Sequence, residues 1–391
     1  MNAMINEPLK KYYELTRSSS LFQEYYQDYP DYADAPVLDK GRLVNILNTK
    51  FDLHSESTGV YLVRSGGSTR KPLVFPVDIE ENLEQRRILA RALTENKVIS
   101  PRTIALNILG YMDMYRTAAI IDDILEKCQA TTLAMSTHAT YEDDYQAILN
   151  FNPDIIFCTP SKLFHFADHL KKNGLKVSVK NMLYGGEFLL DSYAQVFKEY
   201  IGTEQIYSLF GSAETGMWAW CDYTNQPSLF RYIDGILPEI INPDTDGYGN
   251  IVITNLYRKR FPVFRYSIGD IGRLVVIDNV SYLEIKTREK GSFMLYESNY
   301  SLNDFTEVFH DVDNFQIQLS TNEDLHVDVK FLLRKDLQET ERKLFEDTKY
   351  KLICDILGYK IKNTEVISGP DVEFYINPVT CKMPQIVDFR K

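Results

Sequence analysis

"DIIFCTPSKLFHFADHLKKNGLKVSVKNMLYGG", residues 154–186, decides the fold. It opens on a short buried-strand run and reaches Pro160, a residue suited to the first turn of a helix because it needs no backbone donor there. A helical stretch follows, Gly174 stops it, and "NMLYGG" is again a strand. Working outward, the alternation holds. "TIALNIL" reads as strand, "RTAAIIDDILEKC" as helix, "ATTLAMS" as strand and "YEDDYQAILNF" as helix. Downstream, "DSYAQVFKEYIG" is helical and "QIYSLFG" a strand. Alternating strands and helices predict a doubly wound α/β sheet, with ligands bound at the loops after the carboxyl ends of the strands.

The flanks differ. Residues 1–60 are rich in Tyr and Asp and read as irregular with short helices. "YLVRS" is a short strand, and Asp78 opens a long helix with Glu81 three residues on, the spacing of a capping box. After Gly216 the texture turns β-rich, with "NIVITNL", "GRLVVID" and "YLEIKT" as short strands. A smaller α+β unit is expected from Arg288 onward: "SLNDFTEVFH" helical, "LHVDVKFLLR" a strand, residues 337–357 a long helix and "VEFYI" a closing strand. The expected domains are therefore 1–287, a large α/β domain with a β-rich part, and 288–391, a small α+β domain.

Composition excludes several functions. A net charge of −12 argues against a broad nucleic-acid surface. No apolar run approaches the roughly 20 residues of a membrane span, and the first ten residues hold no secretory core. Five scattered cysteines without a CxxC pair fit reduced thiols and a cytoplasmic location, not a zinc site. His138, His165 and His169 have no nucleophile paired with them in any recognisable pattern.

"SGGSTRKP", residues 65–72, combines free backbone N–H groups, hydroxyls and two cations, the material of an anion cradle. It is not a Walker loop, because Arg70 stands where the second glycine belongs. Read with "YGGE" (184–187), "FGSAETG" (210–216), "FRYSIGD" (264–270) and "TCKMPQIVDFR" (380–390), it forms an ordered set. That set resembles the acyl-adenylate-forming superfamily, in particular its phenylacetate–CoA ligase-like branch, over nearly the whole chain.

The resemblance implies roles. Ser65, Gly67, Ser68, Thr69 and Lys71 match the loop that cradles the β- and γ-phosphates of ATP. Gly185, Gly186 and Glu187 match the stretch against adenine, and Phe210, followed by Gly211, matches the aromatic packed on its ring. Glu214 matches the Mg²⁺ carboxylate, Asp270 the acceptor of both ribose hydroxyls, and Arg288 its support. Lys290 matches the hinge of a mobile C-terminal domain whose catalytic lysine matches Lys382. Such a lysine bridges two anions that otherwise repel, the acid and the α-phosphate. Tyr184, Tyr207 and Trp218, with Trp220, are candidates for an aromatic substrate wall.

The implied reaction joins an aromatic carboxylic acid to AMP with ATP and Mg²⁺, then passes the acyl group to CoA. Other acceptors stay open: an amine, a carrier-protein thiol or a partner enzyme. A non-catalytic nucleotide-binding protein is the remaining alternative. Four departures from the family pattern bear on these: Arg70, Ala213 before the glutamate, Ile268 in place of threonine, and "FMLYESNY" where relatives carry an Arg-Gly turn. In relatives that glycine lines the channel for the CoA thiol; here Tyr296 and Glu297 stand in that stretch, which predicts a poor CoA ligase.

Overall fold

A computed structural model of the chain describes residues 3–55, 58–64, 73–111, 114, 116–135, 138–187, 189, 191–288, 292–296, 298–358, 363–376 and 383–390. The chain begins with α1 (Ala3–Ser18), α2 (Gln23–Tyr26) and α3 (Lys40–Lys50), then a hairpin of β1 (Val60–Arg64) and β2 (Val74–Asp78). The start is thus more helical than its composition suggests, and its tyrosines explain why. Tyr12, Tyr13 and Tyr26 are buried against Phe264, and all three hydroxyls donate to backbone carbonyls: Tyr12 to Arg258 at 2.7 Å, Tyr13 to Tyr29 at 2.7 Å and Tyr26 to Phe264 at 3.2 Å. A tyrosine can bury its ring and still satisfy its polar tip.

Next comes α4 (Ile79–Glu95), capped by Asp78, whose carboxylate accepts from the Glu81 N–H at 3.2 Å. The expected capping box does not close. The Glu81 carboxylate instead accepts the backbone N–H groups of Lys259 (3.1 Å) and Arg260 (3.0 Å), 178 and 179 residues away, so a long-range clasp replaces a local one. A closed box caps a later helix, between Thr140 and Asp143.

The alternating region forms β3 (Ile104–Asn107), α5 (Thr117–Lys127), β4 (Thr131–Ala134), α6 (Tyr141–Phe151), β5 (Ile155–Cys158), α7 (Pro160–Lys172), β6 (Asn181–Gly185), α8 (Asp191–Tyr200) and β7 (Gln205–Ser212). Thr159 caps α7 and Pro160 occupies its first turn. The strands lie parallel in the order β4-β3-β5-β6-β7. From β3 the chain first moves to one side and then crosses back to the other, so a topological switch point lies between β3 and β5.

The same sheet continues antiparallel through β8 (Gly216–Asp222), β9 (Leu229–Tyr232), β10 (Ile236–Ile241), β11 (Gly249–Asn255), β12 (Val263–Ile277) and β13 (Val280–Arg288), eleven strands in all. "FRYSIGD" is the first half of the 15-residue β12, which runs on through "GRLVVI". Leu89, Leu93, Ile121, Ile124 and Leu125 of α4 and α5 fill a core with Leu183, Leu209, Trp218 and Ile251 of the sheet.

The chain divides into two compact units, and the second centres on Lys290–Lys391 and includes Glu187–Val196. It contains a hairpin of β14 (Ser292–Leu295) and β15 (Ser298–Ser301), a helical turn ending in α9 (Thr306–Phe309), β16 (Asn314–Thr321), β17 (Val327–Arg334), α10 (Glu339–Leu357), β18 (Asn363–Gly369) and β19 (Ile386–Asp388). Its four-stranded sheet runs β18-β17-β16-β19 over a core of Phe305, Ile317, Val329, Phe331 and Ile353. The expected closing strand "VEFYI" is irregular chain. The amide of buried Gln316 takes its hydrogen bonds: the side chain donates to the Tyr375 carbonyl (2.9 Å) and accepts from the Tyr375 N–H (2.8 Å). It also donates to the Pro384 carbonyl at 2.8 Å, so one side chain ties down both flanks of residues 377–382. A side-chain amide satisfies those backbone groups as a strand partner would.

Candidate active site

The carboxyl ends of β6 and β7 bring "YGG" beside "FGSAETG": Tyr184 pairs with Ser208 and Gly185 with Leu209. A Cβ on Gly185 would lie 3.3 Å from the Leu209 carbonyl oxygen, so a side chain there would press on the neighbouring strand. Phe210 is half-buried, edge-on to Trp218 (5.4 Å, 86°) and 5.3 Å from Phe230.

Glu214 sits on the turn of the β7–β8 hairpin and is 4% exposed. Its Oε1 accepts the Tyr266 hydroxyl at 3.0 Å. Burial, and then the Glu214 charge, push the Tyr266 phenol well above its ordinary range, so it stays a donor. Behind the turn, Gln85 of α4 donates to the carbonyls of Thr215 (2.9 Å) and Met217 (3.0 Å), and Asn255 donates to Thr215 at 2.8 Å. Ser212 and Thr215 bridge the turn through their hydroxyls at 2.9 Å. Local hydroxyls thus flank Ala213 although its own position lacks one.

Asp270 is 2% exposed and lies within β12, four residues after Tyr266, not in a loop. Its ladder partner is Arg288 of β13. One strand therefore carries both the carboxylate expected at ribose and the phenol that holds the carboxylate expected at the metal. A single carboxylate fits Mg²⁺, which takes one or two such ligands and completes its shell with phosphate oxygens and water. No group of three or more metal-ligating side chains occurs among the described residues.

The other expected residues distribute as follows. Trp218 is fully buried, and its indole N–H donates to Thr215 at 2.9 Å. It buttresses Phe210 and the turn, a supporting place in the core in contrast to the pocket wall expected from sequence. Tyr184 is 4% exposed and edge-on to Tyr223 (5.9 Å, 74°); Tyr207 is half-buried, paired with Asp222 across the ladder. Glu187 belongs to the second unit. Ser65, Gly67, Ser68, Thr69, Lys71, Lys290, Glu297 and Lys382 lie outside the described residues, as does the Arg288 side chain. Tyr296 holds a left-handed backbone (φ 51°), a conformation that favours glycine and strains a tyrosine by about 1–2 kcal/mol.

Replacing Asp270 by Ala is expected to weaken ATP binding roughly 10- to 100-fold while acid binding stays put. That is the loss of charge-assisted hydrogen bonds of about 1.5–3 kcal/mol. Calorimetry with a non-hydrolysable ATP analogue checks it, and equal affinities refute the ribose role.

One group escaped the sequence reading. Asp144, on the first turns of α6, is fully buried, and neither carboxyl oxygen has a hydrogen-bond partner among the described residues. Burial raises its pKa to about 6, with the Lys162 ammonium opposing and Asp143 adding. In the unfolded chain it ionises near 4. Stability from this group is present below that value and is lost as pH rises from about 4 to 6. Asp144→Asn should remove that loss, so thermal melts of variant and parent should diverge in favour of the variant between pH 4 and 7, by about 2–3 kcal/mol. Parallel melting curves across that range count against it.

No protein-family model matches the chain. It is similar to the phenylacetate-coenzyme A ligase of Pseudomonas putida, 30% identical over 162 residues, 38% of this chain and 36% of that protein. It is also similar to the indoleacetate–lysine synthetase of Pseudomonas savastanoi, 25% identical over 255 residues and 63% of each chain. The matches thus span between about a third and two thirds of these relatives' length. In fold it matches 2-hydroxyisobutyryl-CoA ligase solved with its acyl-AMP and CoA, at TM-score 0.74 and 14% identity, covering 99% of this chain and 90% of that one. The amide bond synthetase McbA of Marinactinospora thermotolerans matches at TM-score 0.54 and 14% identity, covering 83% and 68%.

Proposed function

For this chain, a relative of the phenylacetate-coenzyme A ligases with the fold of the acyl-adenylate-forming ligases, we propose ATP-dependent activation of an aromatic carboxylic acid as acyl-AMP. The observation that carries the reading is the joint placement of Glu214 and Asp270, from separate motifs, around the single strand β12. The acid arrives ionised and attacks the α-phosphorus in line, releasing pyrophosphate, so no general base is needed. Bound Mg²⁺ would neutralise phosphate charge at Glu214. Asp270 and Arg288 orient the ribose, Phe210 packs on adenine, and Lys382 draws carboxylate and phosphate together. The hydroxyl- and glycine-rich loop at Ser65–Pro72 takes the outer phosphates.

The acyl group then passes to an acceptor, with CoA as the first reading, as the named activity of the ligase relatives suggests. A second reading, transfer to an amine, is favoured by Tyr296 in its left-handed turn where relatives carry glycine, and by a relative named for joining indoleacetate to lysine. A tyrosine there narrows a thiol's path. The test is acid-dependent pyrophosphate release over a carboxylate library, then single-turnover consumption of the preformed adenylate with CoA or with lysine. No release with any acid defeats the activation reading. Rapid accumulation of acyl-CoA defeats the amine reading.

A further inference from the structure

Among the described residues Glu214 has one hydrogen-bond partner, the Tyr266 hydroxyl, which donates to its Oε1 at 3.0 Å; its Oε2 accepts none there. The other donors around the hairpin turn are committed elsewhere. The Ser212 and Thr215 hydroxyls bond each other, and Thr215 also takes the Trp218 indole N–H. Gln85 and Asn255 give their amide N–H groups to the carbonyls behind the turn. Ala213 has only a methyl to offer, and that methyl packs against the core around Tyr266.

The phenol that reaches Glu214 is fixed by the fold on every side. Its ring is buried in a core with Leu38, Phe75, Val77 and Phe264. Its main chain pairs with Ile253 of β11. The main chain just before and just after it bonds Leu38, through the Arg265 carbonyl and the Ser267 N–H, each at 2.9 Å. With ring and strand both held, the hydroxyl has one place to be, and the carboxylate that accepts from it is turned one way.

That brace settles what Glu214 offers a cation. A carboxylate with Oε1 given to a phenol presents Oε2 alone. Mg²⁺ needs no more, since it takes one or two carboxylates and keeps several waters beside the phosphate oxygens. Ca²⁺ gathers about six to eight oxygens and often takes both from one carboxylate.

We propose that Tyr266 is a positioning residue that holds Glu214 as a one-oxygen ligand and so makes the nucleotide site select Mg²⁺ over Ca²⁺. The inference rests on the acid-activation reading above, in which Glu214 carries the metal, and adds the residue that decides which metal. Tyr266 acts through Glu214 and needs no contact with substrate.

The experiment is calorimetry of a non-hydrolysable ATP analogue on the full chain, in saturating Mg²⁺ or saturating Ca²⁺. The parent is compared with Tyr266→Phe, which keeps the ring and removes only the hydroxyl, and with Glu214→Gln. The parent is expected to bind the analogue at least about tenfold tighter with Mg²⁺ than with Ca²⁺. In Tyr266→Phe that ratio should fall below about threefold, with weaker binding in Mg²⁺ and tighter binding in Ca²⁺, because Oε1 is released. Melting curves confirm folding. A merely structural loss weakens binding in both metals by the same factor and leaves the ratio where it was. A parent that binds equally in both metals overturns the selection whatever the variants do. A selective parent whose ratio survives Tyr266→Phe, but not Glu214→Gln, overturns the role of Tyr266 and leaves Glu214 as the metal ligand. Parental affinities in Glu214→Gln remove Glu214 from the metal, which takes down both this inference and the metal part of the activation reading. Pyrophosphate release tests activation separately: a lost ratio in Tyr266→Phe without release from any acid sinks activation and leaves the metal selection standing.

Discussion

Lys382→Ala is expected to lower acid-dependent pyrophosphate exchange roughly 100- to 1,000-fold while leaving the melting temperature unchanged. The acid and the α-phosphate are both anions. As the new P–O bond forms, negative charge concentrates on the bridging and leaving oxygens. A cation placed there stabilises the transition state more than either ground state, and single preorganised donors of this kind contribute about 3–4 kcal/mol. A lysine is suited to the task because its charge is compact and its stem long. The residue follows Cys381 in the stretch just before Met383, and Gln316 holds the chain on either side of it. An anchored flank with a long cationic side chain between its ties is what delivery of one charge requires. Exchange at the parental rate removes Lys382 from the reaction. Lys382→Arg should recover little, because a planar guanidinium does not reproduce a point charge at the same spot.

Gly211→Ala is expected to destabilise the protein by about 3–5 kcal/mol and to abolish adenylation in whatever fraction stays folded. A Cβ at Gly211 would lie 2.0 Å from the Gly216 carbonyl oxygen and 2.8 Å from Met217 Cα, both main chain, so no rotamer change relieves the clash. The hairpin has no slack to give. It bulges between Phe210 and Gly211, and its far side is held by Gln85 and Asn255. Gly216 adds a second constraint: its φ is 71°, and a Cβ there would meet the Arg258 guanidinium at 2.7 Å. Moving this turn moves Glu214. The measurement is thermal unfolding alongside pyrophosphate release. A variant that melts with the parent shows that the hairpin opens freely, and the braced-turn account of Glu214 then fails.

Much of the α/β half was legible because its signals are local. Thr159, Pro160 and the run 155–158 announce a strand and a helix from residues within one turn of each other, and parallel strands buried on both faces read as unbroken apolar runs. The antiparallel half was less legible. "FRYSIGD" contains a Gly-Asp pair that signals a turn, yet β11 and β13 pair along most of β12 and keep the strand continuous. "VEFYI" has strand composition, but β16 takes β19 as its neighbour and leaves that segment to a glutamine. Glu81 has capping-box spacing, and a main chain 178 residues away outcompetes the box for it.

By itself the sequence determined the motif set, the switch-point sheet and the glycines of "FGSAETG", since backbone conformation and apolar periodicity are properties of short stretches. Tertiary structure alone decided which polar groups are withdrawn from water and whom they meet. "YEDD" at the start of α6 holds three acids in a row, all ordinary for a helix N-terminus. Only the folded environment buries Asp144 and leaves Asp143 to its cap. Tyr266 reaches Glu214 across 52 residues for the same reason: desolvation and hydrogen bonding depend on neighbours in space, and β12 supplies them from another part of the chain.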